Sequence, residues 1–384
     1  MNRLIAVVTG TRAEFGLLKN LIRGLFQSDN FKVKLLVTGS HLSKDHGNTV
    51  DEILKEGFKI FKKVDINLES DSSVGISNST AIAIKKFSKI YEEIKPDLLL
   101  VLGDRYEILA SVIPAVFANI PIAHIGGGEI TEGAIDDSIR HSITKFSHIH
   151  FVSNEFYRQR VIQLGENPNN VFNVGGLGVD SINETKLLTR GELEDQLEIS
   201  FSKKNFLITY HPETLSIENN VNSINEILKF LSEVRDTTLI FTLPNADKEN
   251  SLISKRILKF VDQKRNSYAF KSLGQRRYFS LVNTVDIVIG NSSSGLLEVP
   301  YFFKPSINIG SRQKGRLKPK SVIDCKAEYR DLENAIDKAL SDNFKSFMNH
   351  IDFVYGSPGA SKRILNILNN IEFSNLINKK FYQK

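Results

Sequence analysis

The strongest constraint on this chain is a recurrence of short, continuously apolar runs, nearly all followed by a stretch of helical periodicity. In the first half they are LIAVVTG, KVKLLVTG, DLLLVLG, IPIAHIGG, HIHFVS and VFNVGG; after VFNVGGLGVDSI they restart as FLITYHPE, TLIFTLPN, SYAFKSLG, DIVIGNSSSG and PSINIGS. Runs that are apolar throughout, rather than alternating, belong to strands covered on both faces, and strands that alternate with helices build parallel sheets. The pattern predicts an α/β protein with two Rossmann-like, doubly wound domains. A chain of 384 residues with 41% hydrophobic content is also longer than one core usually organises. The seam is expected at Gly175 to Asp180, where GGLG supplies permissive backbone. This gives an N-terminal domain over 1–178, a C-terminal domain over 179–360 and a terminal helix over 361–384 that packs back on the first domain.

Composition narrows the class. No run of eighteen apolar residues occurs, and the N-terminus enters an apolar strand directly, so a soluble, cytoplasmic protein with no membrane partner is expected. One cysteine, Cys325, excludes an internal disulfide and any cysteine-cluster metal site. The net charge is +6, but the lysines are dispersed and no tryptophan or basic-aromatic cluster forms a stacking platform. A solvated lysine surface is expected rather than nucleic-acid binding.

Open parallel sheets bind ligands beyond the carboxyl ends of their strands, and the unusual residues of this chain lie there. TGTRAEFG offers Arg12 and backbone N–H groups ahead of a helix expected over 17–26, which suits an anion; a tight turn with a surface arginine is the alternative. It lacks the three-glycine dinucleotide spacing. VLGDRYE places Asp104 and Arg105 after a strand, either as ligand contacts or with Asp104 as a helix N-cap. In HIGGGEITEGAIDDSIRHSITK, Gly126, Gly127 and Gly128 let the backbone turn and approach a ligand, Glu129 and Glu132 follow, and Asp136 opens a helix. Asp136 with Arg140, and Asp137 with His141, are four apart and share helix faces.

In the second half, His211 and Asn245 stand at strand ends. VIGNSSSGLLEVP brings Ser292, Ser293 and Ser294 to the start of a short helix, an arrangement that accepts phosphate oxygens, and Glu298 one turn on can take the two hydroxyl hydrogens of a ribose. Arg312 and Arg316 then reach the next strand end, where a guanidinium clamps a diphosphate. Together these describe a nucleotide-diphosphate pocket. No metal-ligand spacing is present and no cofactor is expected, so phosphate charge falls to Arg, Ser and helix dipoles.

Taken in order, GTRAEFG, VLGDRYE, GGGEITEGAIDDSIRHSITK, RVIQLGE, GNSSSGLLEVP and NIGSRQKGR resemble the hydrolysing UDP-N-acetylglucosamine 2-epimerases, over nearly the whole chain. The resemblance implies a glycosyltransferase-B-like pair of Rossmann-type domains with an interdomain cleft, a nucleotide-sugar substrate and a homo-oligomer, dimer or tetramer. It also implies elimination of the nucleoside diphosphate across C1 and C2, then water addition with inversion at C2. By the same resemblance Asp104 and Asp136 match catalytic carboxylates, and Arg105 and His211 match sugar or phosphate contacts. Asn245, Ser292, Ser293, Glu298 and Arg312 match nucleotide-side positions, and Arg12 the first-loop arginine. Two departures stand out: Gly126 occupies the place of a glutamate found directly after His-Ile in many members, leaving Glu129, Glu132 or His124 to substitute, and Leu17 replaces a lysine. The ITEGAIDDSIRH loop is more similar to the legionaminic-acid branch, whose substrates carry N,N'-diacetylbacillosamine.

Overall fold

A computed structural model describes residues 2–43, 48–68, 72–131, 135–211, 217–243 and 250–383. The chain forms two compact units, Met1–Ser181 with Tyr355–Lys384, and Ile182–Val354.

The first unit is built on a seven-stranded parallel sheet of β1 (Arg3–Thr9), β2 (Phe31–Thr38), β3 (Ile60–Val64), β4 (Leu98–Leu102), β5 (Ile122–Ile125), β6 (Ile149–Val152) and β7 (Val171–Asn173), in the order β3-β2-β1-β4-β5-β6-β7. Successive residues of a strand point to opposite faces, so Ile5 and Val7 enter one core with Leu35, Leu100 and Phe151, while Ala6 and Val8 enter another with Leu99, Val101 and Ile122. Burial on both faces is why the runs are apolar throughout; each fully buried Val, Leu or Ile contributes about 1.5–3 kcal/mol of transfer free energy.

The second unit repeats the design with six parallel strands, β8 (Lys204–Thr209), β9 (Thr237–Thr242), β10 (Ser267–Phe270), β11 (Ile287–Gly290), β12 (Ser306–Ile309) and β13 (Val322–Cys325), in the order β10-β9-β8-β11-β12-β13. In both sheets the winding direction reverses beside the first strand, between β1 and β4 and between β8 and β11. Such switch points are where open α/β sheets hold ligands.

Three features depart from the sequence pattern. Strands β3 and β13, which the apolar runs do not announce, are edge strands with exposed residues, IFKKV and VIDC, and so lack a continuous apolar run. The first helix spans Arg12–Gln27 rather than 17–26, because Thr11 caps it by accepting the Glu14 N–H at 3.2 Å. Asp104 is not a helix N-cap: the helix Tyr106–Phe117 is preceded by Arg105, and no side chain caps it.

The chain end is fastened to the first unit. Buried Asp180 accepts the N–H groups of Gly359, Ala360 and Ser361 at 2.6, 3.0 and 2.7 Å, satisfying the start of the helix Ala360–Asn370. That helix lies on Arg12–Gln27 so closely that Leu365 occupies the space a Cβ on Gly24 would need.

Candidate active site

In the first unit the loops after β1, β4 and β5 carry the candidate residues, and one side chain joins two of them. Arg140, on the helix Ile135–Phe146, is only 2% exposed yet charged. Its Nη2 donates to the Asp104 carboxylate and to Thr131 Oγ1 at 3.1 Å. Its Nη1 donates to the Glu129 carbonyl at 2.9 Å and to Asp137 Oδ1 at 3.0 Å. A buried guanidinium is tolerated only when paired and hydrogen-bonded, and here four acceptors from three segments meet that need.

Of the two expected helix pairings, Asp137 with His141 is present and Asp136 with Arg140 is not. Asp137, not Asp136, is the partner of Arg140, and it also accepts the Thr131 N–H at 2.8 Å and faces His141 Nε2 at 3.6 Å. Asp137 thereby ties the loop to the helix. Asp136 makes no ion pair with a described residue, and burial, with the Asp104 charge nearby, pushes its pKa up despite the opposing pull of Arg105 and Arg140.

Arg105 donates through Nε to Glu107 Oε1 at 2.6 Å; its Nη groups make no hydrogen bond to a described residue and its side chain is 45% exposed. Burial works against its charge, but the Glu107 carboxylate keeps it firmly protonated. Arg12 does not join this cluster. It sits in the first helical turn with Nε 2.9 Å from Glu52 Oε2.

The three glycines after β5 have different reasons. A Cβ on Gly128 would lie 2.5 Å from the Tyr157 carbonyl, so that glycine permits close packing on the helix Glu155–Gln163; of the three, only Gly126, at φ +90°, has no described atom where a Cβ would lie. His124 is locked: Nε2 meets the Gly103 carbonyl at 2.9 Å, Nδ1 meets Thr144 Oγ1 at 3.2 Å, and burial lowers its pKa to about 3. Neutral at physiological pH and held at both nitrogens, it props the strand end. Glu132 and Asn245 lie outside the described residues.

In the second unit the organising residue is Asn291, fully buried at the end of β11. Its Oδ1 accepts the His211 N–H at 2.7 Å, its Nδ2 donates to the His211 carbonyl at 2.8 Å, and its own carbonyl accepts Arg312 Nη1 at 3.0 Å and Gln313 Nε2 at 2.9 Å. The loops after β8, β11 and β12 thus meet at this one residue, the first through its side-chain amide and the last through its main-chain carbonyl. The approach needs Gly290, since a Cβ there would overlap the Thr209 carbonyl. Burial and then the Arg312 charge lower the His211 pKa to about 4, so its ring is neutral. Ser294 starts the short helix Ser294–Leu297, with Ser293 at its cap and the Ser292 hydroxyl accepting the Ser294 N–H at 3.4 Å. Tyr278 Oη lies 2.6 Å from Ser294 Oγ, and Ser294 in turn hydrogen-bonds Glu298, whose pKa burial raises.

Sequence reasoning passed over Glu14, Glu107, Asp137 as the loop tie, Asn291 and Gln313. The Thr-Arg-Ala-Glu run at 11–14 is a capping signal that would have drawn attention to Glu14. Asn291, directly after the β11 glycine, carries no signal of its own.

Two parallel α/β units with polar loops gathered at each switch point define a glycosyltransferase-B-like protein. Residues 23–369 match the family described as UDP-N-acetylglucosamine 2-epimerase. The chain is 42% identical over 382 residues to the GDP/UDP-N,N'-diacetylbacillosamine 2-epimerase (hydrolyzing) of Campylobacter jejuni, covering 99% of this chain and 98% of that one. It is 32% identical over 380 residues to the UDP-N,N'-diacetylbacillosamine 2-epimerase (hydrolyzing) of Legionella pneumophila, covering 99% of each. The crystal structure of UDP-GlcNAc 2-epimerase from Neisseria meningitidis bound to UDP-GlcNAc shares the fold with a TM-score of 0.75 at 20% identity, covering 96% of this chain and all of that one. The chain belongs to the UDP-N-acetylglucosamine 2-epimerase family and is an enzyme. No helix among the described residues is long and apolar enough to cross a membrane.

Proposed function

We propose that the chain is a hydrolysing 2-epimerase of UDP- or GDP-N,N'-diacetylbacillosamine, releasing 2,4-diacetamido-2,4,6-trideoxymannose and the nucleoside diphosphate. The two relatives above, named as acting on that sugar nucleotide and alike over nearly their whole length, support the substrate. The observation that carries the chemistry is the contrast between two neighbouring carboxylates: Asp104 is tied to buried Arg140, whereas Asp136 is partly desolvated and free of any ion pair with a described residue.

Departure of the diphosphate gives C1 oxocarbenium character and acidifies C2–H. A proton acceptor at C2 and fixed negative charge near C1 then suffice for elimination, and water adds to the resulting glycal while C2 is reprotonated from the opposite face. Asp136 suits proton transfer, because its environment narrows the gap to the pKa of an effective base. Asp104 suits electrostatic stabilisation of the cationic centre, since its ion pair with Arg140 fixes the carboxylate in place. Arg105 presents free guanidinium edges to the sugar or phosphate. Glu129 and Glu132 are the remaining candidates for the second proton carrier in place of the glutamate that Gly126 replaces. In the second unit Ser292, Ser293, Ser294 and Arg312 would hold the diphosphate, Glu298 the ribose, and His211 and Asn245 the phosphate-sugar side.

Turnover in deuterated water tests the reading: the released sugar must carry deuterium at C2 with inverted configuration. A glycosyltransferase would place none there, and a binding module would release no nucleoside diphosphate. The second reading is hydrolysing epimerisation of UDP-GlcNAc, favoured by the shared fold of the Neisseria protein crystallised with that ligand. It prevails if kcat/KM for UDP-GlcNAc exceeds that for the diacetamido nucleotides. A cytoplasmic homo-oligomer is part of the proposal, checked by fractionation and by light scattering in solution.

A further inference from the structure

Two buried carboxyl groups beneath the first unit's strand-end loops are not used by the reaction as proposed. Both touch Gly10. Glu14 Oε2 accepts the Gly10 N–H at 2.7 Å, and Glu107 packs so closely that a Cβ on Gly10 would lie 2.7 Å from its Cγ and 3.1 Å from its Oε1. A Cβ on Gly39, at φ +58°, would likewise lie 3.1 Å from Glu107 Oε1. The two side chains are therefore enclosed where the loops after β1 and β2 converge, 6% and 1% exposed. The remaining oxygen of each, Glu14 Oε1 and Glu107 Oε2, is buried and has no hydrogen-bond partner among the described residues.

Two neighbouring buried acids, each with an oxygen lacking a donor, are not stable as two anions; one proton between them removes a charge and supplies a donor. The environment assigns that proton. Arg105 donates to Glu107 as an ion pair, whereas Glu14 receives a backbone N–H. We propose that Glu14 and Glu107 form a buried carboxylic acid–carboxylate pair holding a single proton at neutral pH, and that its charged member, Glu107, orients Arg105 at the candidate site. The charged groups facing Glu14 are Glu107, Arg105 and Asp104; burial first, then the Glu107 charge, raise its pKa to about 8. The nearby His41 is neutral, its pKa lowered to about 4 by burial, and adds no charge. Both glutamates are positioning residues. The shared proton is independent of the reaction assigned above, whereas the role of Arg105 rests on that assignment.

Infrared spectroscopy of the intact protein reads the proton directly. At neutral pH a carbonyl-stretch band of a buried neutral carboxylic acid should be present in wild type, vanish as the pH passes about 8, and be missing in Glu14→Gln. Absence of that band in wild type overturns the pair without needing any variant to fold. Kinetics read its consequence: Glu107→Gln should lower kcat/KM at least about ten-fold more than Glu14→Gln, because the amide mimics a protonated acid but not the anion that anchors Arg105. The alkaline fall in kcat/KM of wild type should be absent from Glu14→Gln. Equal losses in the two variants, or an unchanged alkaline limb, overturn the positioning role. If deuterium fails to appear at C2 while the infrared band is present, the assigned reaction is wrong and the proton pair stands.

Discussion

Arg140 holds Asp104 in an ion pair from within the core of the first unit, and the same guanidinium grips the Glu129 carbonyl and Thr131 on the neighbouring loop. The strand-end acid and the glycine loop are therefore one mechanical object. Arg140→Met should remove the tie and leave Asp104 and Asp137 without their counter-charge. Breaking a buried pair from one side costs about 3–5 kcal/mol. Chemical denaturation should show a loss of this order, with turnover reduced about 10²-fold or more in the folded fraction; a variant as stable and active as wild type would refute the tie.

Asp136 is the opposite case, an acid with no such tie. Asp136→Asn should lower kcat by about 10²-fold or more while circular dichroism and melting temperature stay close to wild type, since the side chain makes no ion pair with a described residue. An unchanged rate would reduce Asp136 to an ordinary first-turn helix acid. Because burial raises its pKa, the acid limb of the wild-type kcat/KM profile should lie above the usual aspartate value of 3.8. Activity should fall as pH drops through that limb, because the proposed base is then protonated.

The strands buried on both faces were legible because their residues must be apolar whichever way they point, and the strand-end loops were legible because glycines and charged residues gather there. Edge strands β3 and β13 escaped because one side of each meets solvent and charged residues such as Lys62, Lys63 and Asp324 interrupt the run. The choice between Asp136 and Asp137 as partner of Arg140 also lay beyond the sequence. Spacings of three and four share a helix face equally well, and it is the Thr131 N–H, brought in by tertiary structure, that fixes Asp137 toward the loop. Glu14 fell within the first strand-end loop and drew no role of its own, because its partners at positions 10 and 107 meet only in the folded sheet.

The Asn291 side chain ties the β11 end to His211 through both ends of its amide, and its main-chain carbonyl receives Arg312, so loss of the side chain should be felt at ligand contacts rather than in the core. Asn291→Ala leaves the His211 N–H and carbonyl without partners and frees the strand end. KM for the nucleotide sugar should rise at least about ten-fold, with a smaller change in kcat, because the proposed grip on the nucleotide is loosened while the first unit's acids are untouched. Titration calorimetry with UDP and GDP checks the same point without turnover; undiminished affinity for both would remove Asn291 from the binding apparatus.

Glu166 sets the acid limit of the first unit. It is 2% exposed and receives Lys145 Nζ at 2.6 Å, Lys379 Nζ at 2.7 Å and His150 Nε2 at 2.9 Å, so it fastens the chain's last residues to β6 and the helix Ile135–Phe146. Burial alone would raise its pKa, but His150 and the two ammonium groups together pull it down to about 2. A folded-state pKa below the unfolded value of 4.5 means that the native state binds fewer protons than the unfolded one in that interval. The stabilisation is then fully present above about 4.5 and is lost as pH falls toward about 2. Glu166→Gln should cost about 3 kcal/mol or more at neutral pH, since the amide leaves two lysines without their counter-charge. Urea denaturation of the two proteins across this range should show the gap closing as wild type is protonated, and Lys379→Met should narrow the pH dependence in proportion to the charge it removes. A gap that stays constant down to the lowest pH would mean that the Glu166 charge contributes nothing to holding the chain end.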